Sequence, residues 1–125
     1  MKSYKLTFGS IIKLENNLAE VIVDEGIEMD ENSVQEFHDF LLQNLTVPFS
    51  LLINRKNSYS YTFKAQRLIG KLEEIKAIAV VIATSGALMS TETLINLNKD
   101  SDWNIYVFQK RDKALEWLAQ QQICV

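Results

Sequence analysis

Apolar and polar positions change rhythm several times along this chain, and each change marks an element. Ile11-Ile12-Lys13-Leu14 and Leu18-Ala19-Glu20-Val21-Ile22-Val23 flank Asn16-Asn17. Asparagine tolerates positive φ, which a two-residue turn requires, so the pattern predicts a β-hairpin. Tyr4, Leu6 and Phe8 alternate ahead of it and extend the first strand backwards across Gly9. From Val34 the period lengthens. Val34, Phe37, Leu41, Leu42 and Leu45 share one helical face, with Glu31, Gln35 and Asp39 opposite. Asp30 or Ser33 can cap this helix, and Ser33 with Glu36 has the capping-box form.

A short apolar strand follows at Phe49-Ser50-Leu51-Leu52-Ile53. Tyr61, Ala65, Leu68, Ile69 and Leu72 then return to helical spacing, with Ser60 as the N-cap and Lys64, Arg67 and Lys71 on the other side. Ala77 to Ala83 is a continuous, β-branched run, the signature of a strand buried on both faces of a parallel sheet. Thr84-Ser85-Gly86 breaks it. A weaker helix is expected from about Leu88 to Asn98, a last strand at Asn104 to Phe108, and a last helix from Asp112 to about Gln121 with Ala114, Leu115 and Leu118 inward. The order predicts an α/β fold: an N-terminal β-hairpin followed by β-α repeats. The sheet should be mainly parallel, with about four helices and right-handed crossovers.

With 125 residues, residues 1–125 read as a single domain long enough to bury a core. A net charge of −3 offers no global attraction to nucleic acid or an anionic membrane. The longest apolar run is too short to span a bilayer, and the first residues lack the apolar stretch of a signal peptide. A single cysteine, Cys124, fits a reducing cytoplasm. Charge order says more than the total. Between Lys13 and Arg55 there is no Lys or Arg, but there are nine acids: Glu15, Glu20, Asp24, Glu25, Glu28, Asp30, Glu31, Glu36 and Asp39. Arg55, Lys56, Lys64, Arg67 and Lys71 then follow with no acid among them.

Three stretches resemble the STAS superfamily, most closely its SpoIIAA-like branch: LAEVIVDEGIEMDENSVQEFHDFL, KAIAVVIAT and NIYVFQKRDKALEWLAQ. They are similar to that family's strand, turn and first helix, its central strand, and its final strand and helix. The resemblance covers nearly the whole chain from Leu18 and implies the family's fold. Antagonist members carry Asp-Ser-Ser/Thr-Gly, with a phosphorylated serine at a helix start. Here the corresponding stretch reads Ser60-Tyr61-Thr62-Phe63-Lys64, without the Asp or the Ser-Gly pair, and the phosphoacceptor position falls near Phe63. The resemblance therefore implies an interaction or regulatory module without the phosphoserine switch.

Open parallel sheets collect ligands at the carboxyl ends of their strands. Asn54 to Thr62 lies at such an end, as do Asp24 to Asp30 and Thr84 to Gly86. Asn54, Arg55, Ser58, Ser60 and Thr62 are candidates for receiving an anionic group or a partner loop; the plainer reading is a solvated turn and helix cap. Lys64, Arg67 and Lys71 are candidates for docking an acidic partner or a second copy of the chain, making a homodimer conceivable. They equally suit a solvated face opposite Glu31 and Asp39, where surface pairs contribute only about 0–1 kcal/mol each.

Other features point away from catalysis. Asp24, Glu25, Glu28, Asp30 and Glu31 lack the spacing of a calcium loop. His38, the single histidine, sits within the apolar arc of its helix and reads as a boundary core residue. There is no Gly-x-Ser-x-Gly elbow, Ser85-Gly86 reads as a turn, and Gly70-Lys71 lies inside a helix without a phosphate-binding glycine loop. Trp103, Tyr106, Phe108 and Trp117 suit packing better than base stacking. The leading reading is a non-enzymatic module with a protein partner and no cofactor. The alternative is a carrier of a small apolar ligand or lipid, of CRAL-TRIO-related type, with its pocket under Met29, Leu88 and Met89. An enzyme ranks last, for want of paired catalytic groups.

Overall fold

A strand points successive side chains to opposite faces, so a sheet covered on both sides must distribute its residues between two cores. A computed structural model describes residues 2–69, 71–97 and 104–123. Its elements run β1 (Lys2–Lys5), β2 (Gly9–Glu15), β3 (Leu18–Val23), β4 (Glu28–Met29), α1 (Glu31–Asn44), β5 (Phe49–Arg55), β6 (Ser60–Tyr61), α2 (Phe63–Leu68), β7 (Ile75–Ile82), α3 (Ser85–Leu97), β8 (Ile105–Phe108) and α4 (Arg111–Ile123). A six-stranded sheet has the order β1-β2-β3-β5-β7-β8. β1, β2 and β3 pair antiparallel, whereas β3, β5, β7 and β8 pair parallel. The α/β class, the hairpin at Asn16-Asn17, the mainly parallel sheet and the four helices agree with the sequence reading.

The parallel strands add in chain order toward one edge. Crossovers of one hand then put every connecting helix on one face. The packing matches. Phe37 and Leu41 of α1 and Ala65 of α2 share a core with Leu94 of α3 and with Val21, Leu51 and Val80 of the sheet. α4 comes after the last strand and covers the opposite face, where Ala114 and Leu118 pack with Leu18, Leu52, Ala77 and Ala79. β5 shows the division most clearly: Phe49, Leu51 and Ile53 belong to the three-helix face and Leu52 to the α4 face.

Several boundaries differ from the sequence reading. Tyr4 to Phe8 do not prolong the first strand. Instead β1 folds back on β2 through a tight turn in which the Leu6 N–H donates to the Gly9 carbonyl at 2.8 Å. Gly9 lies so close to β3 that a Cβ there would stand 2.8 Å from the Val23 Cα and nearer still to the Ile22 carbonyl oxygen. α1 is capped by Asp30, whose carboxylate accepts the Ser33 N–H at 2.9 Å. Ser33 is not the cap, and Glu36 accepts hydrogen bonds from Thr7 instead of closing a capping box.

Thr62, not Ser60, caps α2, its Oγ1 accepting the Ala65 N–H at 3.2 Å. Ser60 and Tyr61 are already committed to β6, which pairs with β4. α2 is only six residues long, so Lys71 lies beyond its end and Leu68 is exposed. α3 begins at Ser85, earlier than Leu88, because Thr84 accepts the Ala87 N–H through its hydroxyl and the Leu88 N–H through its carbonyl. Gly86 therefore sits in a helix and not in a turn. Gly70, Asn98, Trp103 and Cys124 lie outside the described residues.

Candidate functional site

The carboxyl ends of β3, β5 and β7 lie together, and two loops leave them side by side. Residues 24–30 follow β3 and residues 56–62 follow β5. The small β4–β6 sheet joins them, helped by the Gly26 N–H on the Ser58 carbonyl and the Thr62 N–H on the Met29 carbonyl, each at 2.8 Å. Gly26 has φ +79°, a conformation that favours glycine in this tight loop. The acidic cluster is spent here singly. Lys5 pairs with Asp24 at 2.9 Å, Glu25 accepts the Ser58 N–H at 3.0 Å, and Asp30 caps α1.

Asn54 and Arg55 are neighbours in sequence but not in environment, because β5 sends them to opposite faces. Asn54 does not belong to a shared surface with Arg55. Its Nδ2 donates to Glu20 at 2.9 Å beneath α4. Glu20 is buried and also meets Arg111, with Nη2 2.6 Å from Oε1 and Nε 3.2 Å from both oxygens. Burial pushes the Glu20 carboxyl up, but hydrogen bonds from Arg111 and Asn54 and the charges of Arg111 and Lys56 together hold it below its usual 4.5. Hydrogen bonding to Glu20 raises the Arg111 guanidinium in turn.

Arg55 is only 5% exposed, so it is not the surface residue that the sequence suggested. Its Nη1 donates to Thr91 Oγ1 at 3.2 Å, with Ser90 Oγ at 3.5 Å, and its Nη2 donates to the Tyr59 carbonyl at 3.2 Å. The guanidinium carbon lies 4.3 Å from the centre of the Tyr59 ring. Burial pushes the Tyr59 phenol above its usual 10.0, the Arg55 charge opposing, and raises Tyr61 further. Both stay protonated at neutral pH and supply no base.

The other candidates separate. Ser58 lies with Arg55 at the wall of a depression of about 270 Å³, together with Lys56, Thr84, Gly86 and Ser90. Ser60 is exposed on β6, and Thr62 is the α2 cap. Lys64 and Arg67 are exposed on α2, Arg67 standing 5.4 Å from the centre of the Phe63 ring, while Lys71 is exposed beyond it. Among the described residues no ion pair joins these cations to Glu31 or Asp39. Sequence reasoning did not place Lys56 in the candidate site and did not find Ser90 or Thr91 as neighbours of Arg55. The only signal was the break at Thr84-Ser85-Gly86; two hydroxyl residues one to two turns into a helix look like ordinary surface.

Of the three residues expected to lie over an apolar pocket, Met29 lines the observed apolar cavity, whereas Leu88 and Met89 do not. Phe37, Tyr59, Tyr61 and Leu94 line it too, but its volume is about 40 Å³. A dry cavity that admits a benzene-sized guest is nearer 150 Å³. Met89 points away, 69% exposed. An acyl chain has no room there. His38 is half-buried and its Nε2 lies 3.2 Å from the Ile69 carbonyl, linking α1 to the end of α2. Tyr106, Phe108 and Trp117 pack together between β8 and α4, with ring centres 5.3–6.4 Å apart. Among the described residues no three His, Cys, Asp or Glu side chains are grouped to hold a metal ion, and no helix is long and apolar enough to cross a membrane.

An open sheet with three crossover helices on one face, a hairpin edge and a closing helix on the other defines an α/β protein of SpoIIAA-like fold. Among solved structures, the chain is similar to an uncharacterised protein of the DUF3478 family from Shewanella loihica PV-4, described as having a SpoIIAA-like fold. The TM-score is 0.53 at 12% identity, over 94% of this chain and 90% of that one. No family model matches the sequence, and no curated protein does. The resemblance read from the three sequence stretches and the architecture agree on the fold.

Proposed function

We propose that this protein is a non-enzymatic regulatory module of the bacterial cytoplasm that binds an acidic protein partner through α2. The observation that carries the reading is the composition of that short helix. Phe63 is 63% exposed and lies beside Lys64 and Arg67, with Leu68 also exposed on the same helix and Lys71 just beyond it. An exposed aromatic flanked by an arginine is the kind of anchor that dominates protein interfaces, and the surrounding lysines favour an acidic counterpart. The helix begins where antagonists of this fold carry their phosphorylated serine. Here that place holds Thr62, whose hydroxyl is engaged in capping, and then Phe63. The module thus works by standing contact and not by a phosphoserine switch.

The test is affinity capture with crosslinking, comparing the wild type with Lys64→Glu/Arg67→Glu/Lys71→Glu and with Phe63→Ser. A specific protein recovered by the wild type and lost in both variants, with circular dichroism unchanged, bears the reading out. Retention of that protein by both variants refutes it. Recovery of a second copy of the chain itself reassigns the surface to self-association.

A further inference from the structure

Arg55 is a buried cation that the α2 surface does not use. A guanidinium carries five N–H donors and no acceptor, and its charge is costly to bury without an anion. Every group it meets among the described residues is neutral: the Thr91 and Ser90 hydroxyls, the Tyr59 carbonyl and the Tyr59 ring. Among the described residues it makes no ion pair, and its Nε has no acceptor. The contrast with Arg111, which meets Glu20 through two nitrogens, shows what is missing.

Arg55 borders a depression where an anion can lie beside its guanidinium, although the Nε itself is closed to solvent. The depression of about 270 Å³ is bounded by Arg55, Lys56, Ser58, Thr84, Gly86 and Ser90. That is room for a tetrahedral oxyanion and a few attached atoms. Its wall includes the first turn of α3, a 13-residue helix whose N-terminal N–H groups ahead of Ala87 have no acceptor within the helix. A Cβ at Gly86 would meet nothing closer than the Thr84 Oγ1 at 3.9 Å, so packing does not call for glycine there. One opposing charge borders the depression: Glu25, whose carboxylate accepts the Ser58 N–H.

We infer that this pocket binds a phosphate-type oxyanion, with Arg55 as the buried counter-charge and Lys56, Ser58, Ser90 and the α3 N-terminus completing the cradle. The phosphate arrives on a small ester or on a phosphorylated side chain, since the recognising chemistry is the same. The inference stands apart from the α2 surface and does not need a partner there.

The test is an NMR titration of the isotopically labelled protein with inorganic phosphate, phenyl phosphate and a phosphoserine peptide. Sodium chloride at matched ionic strength is the control. Saturable shifts of the Gly86 and Ala87 amides and of the Arg55 Nε–H, absent with chloride, are expected. Arg55→Met weakens binding about tenfold or more, in line with loss of charged hydrogen bonds. Lys56→Ala and Gly86→Ala weaken it less with the fold intact, and Glu25→Gln tightens it by removing a like charge. Tighter binding of the peptide than of phenyl phosphate identifies a protein-borne phosphate, and the reverse identifies a small ester. If Arg55→Met fails to fold, the wild-type Nε–H shift and the Lys56 and Gly86 variants decide the matter. Shifts no different from those of chloride, or equal affinities in wild type and variants, overturn the inference.

Discussion

Asn54 and Arg55 stand one residue apart on β5 and meet opposite electrostatic fates. Beneath α4, Asn54 joins Glu20 and Arg111 in a network where a buried acid has a cation and a neutral donor. Beneath the three connecting helices, Arg55 has only neutral acceptors among the described residues. The first region is electrostatically complete within the chain; the second is complete only with something added. A low-dielectric interior magnifies the difference, because a charge there depends almost wholly on the groups in contact with it.

The sharpest way to break the comparison is to remove the cation from the completed side. Arg111→Met leaves Glu20 buried with Asn54 alone in direct contact, and should destabilise by about 2 kcal/mol in denaturant unfolding. That is less than for a wholly buried pair, because the Arg111 side chain is 46% exposed. Acid dependence supplies a second readout. In the wild type the folded Glu20 pKa lies below its usual 4.5, so its contribution is present above pH 4.5 and is lost as the pH falls through the folded value. In Arg111→Met the two lowering contributions of Arg111 are gone while burial remains, so the folded pKa rises and the loss of stability on acidification should shrink. An unchanged acid limb would show that the pair is not the source. Adding Glu20→Leu should recover most of the loss, since an apolar replacement removes the buried charge altogether.

The same cut on the other side should do little in the absence of a ligand. Arg55→Met frees the Tyr59 carbonyl and the Thr91 hydroxyl from a donor, but it also removes an uncompensated charge. The two should offset to within about 1 kcal/mol by chemical denaturation. A loss as large as that of Arg111→Met would mean that Arg55 is structural and that the two regions are alike.

His38 gives a smaller effect under the three-helix face. Burial pulls its pKa below 6.5, against the opposing pull of the Ile69 carbonyl and of Asp39 and Glu74. A depressed folded pKa means that stability is complete above about pH 6.5 and declines as the pH falls below it toward the folded value. His38→Asn should flatten that slope in thermal melts between pH 7 and pH 5, a range set by the ordinary histidine pKa. The smallest change belongs to the outer surface. Lys64→Glu/Arg67→Glu/Lys71→Glu should leave stability within about 0.5 kcal/mol, because these cations are exposed and make no ion pair among the described residues. A larger loss would mean that α2 depends on them for folding.

Elements whose signals are local were legible: the Asn16-Asn17 turn, the apolar face of α1 at Val34, Phe37, Leu41 and Leu45 (Leu42, expected there too, is exposed), and the continuous run of β7. Misreadings fell where a distant segment decides. Ser60 looked like a cap because nothing in residues 54–68 reveals that residues 28 and 29 pair with residues 60 and 61. Leu6 and Phe8 looked like strand because alternation does not register the turn that the Leu6–Gly9 hydrogen bond closes. Arg55 was identified as a candidate, but as an exposed one; its burial depends on α3, which crosses the sheet some thirty-five positions later.

By itself the sequence determined the class of fold, the four helices and the main strands of the sheet, and the separation of an acidic first part from a basic middle. These follow from side-chain period, capping and charge order, which act over a few residues. Only the tertiary structure decided that Asn54 and Arg55 are separated by the sheet, that among the described residues one buried ion is paired and the other is not, and that Thr84, Gly86 and Ser90 share a pocket with Arg55. Those facts depend on which strand lies beside which and on the face each helix covers, and burial turns that placement into electrostatic energy.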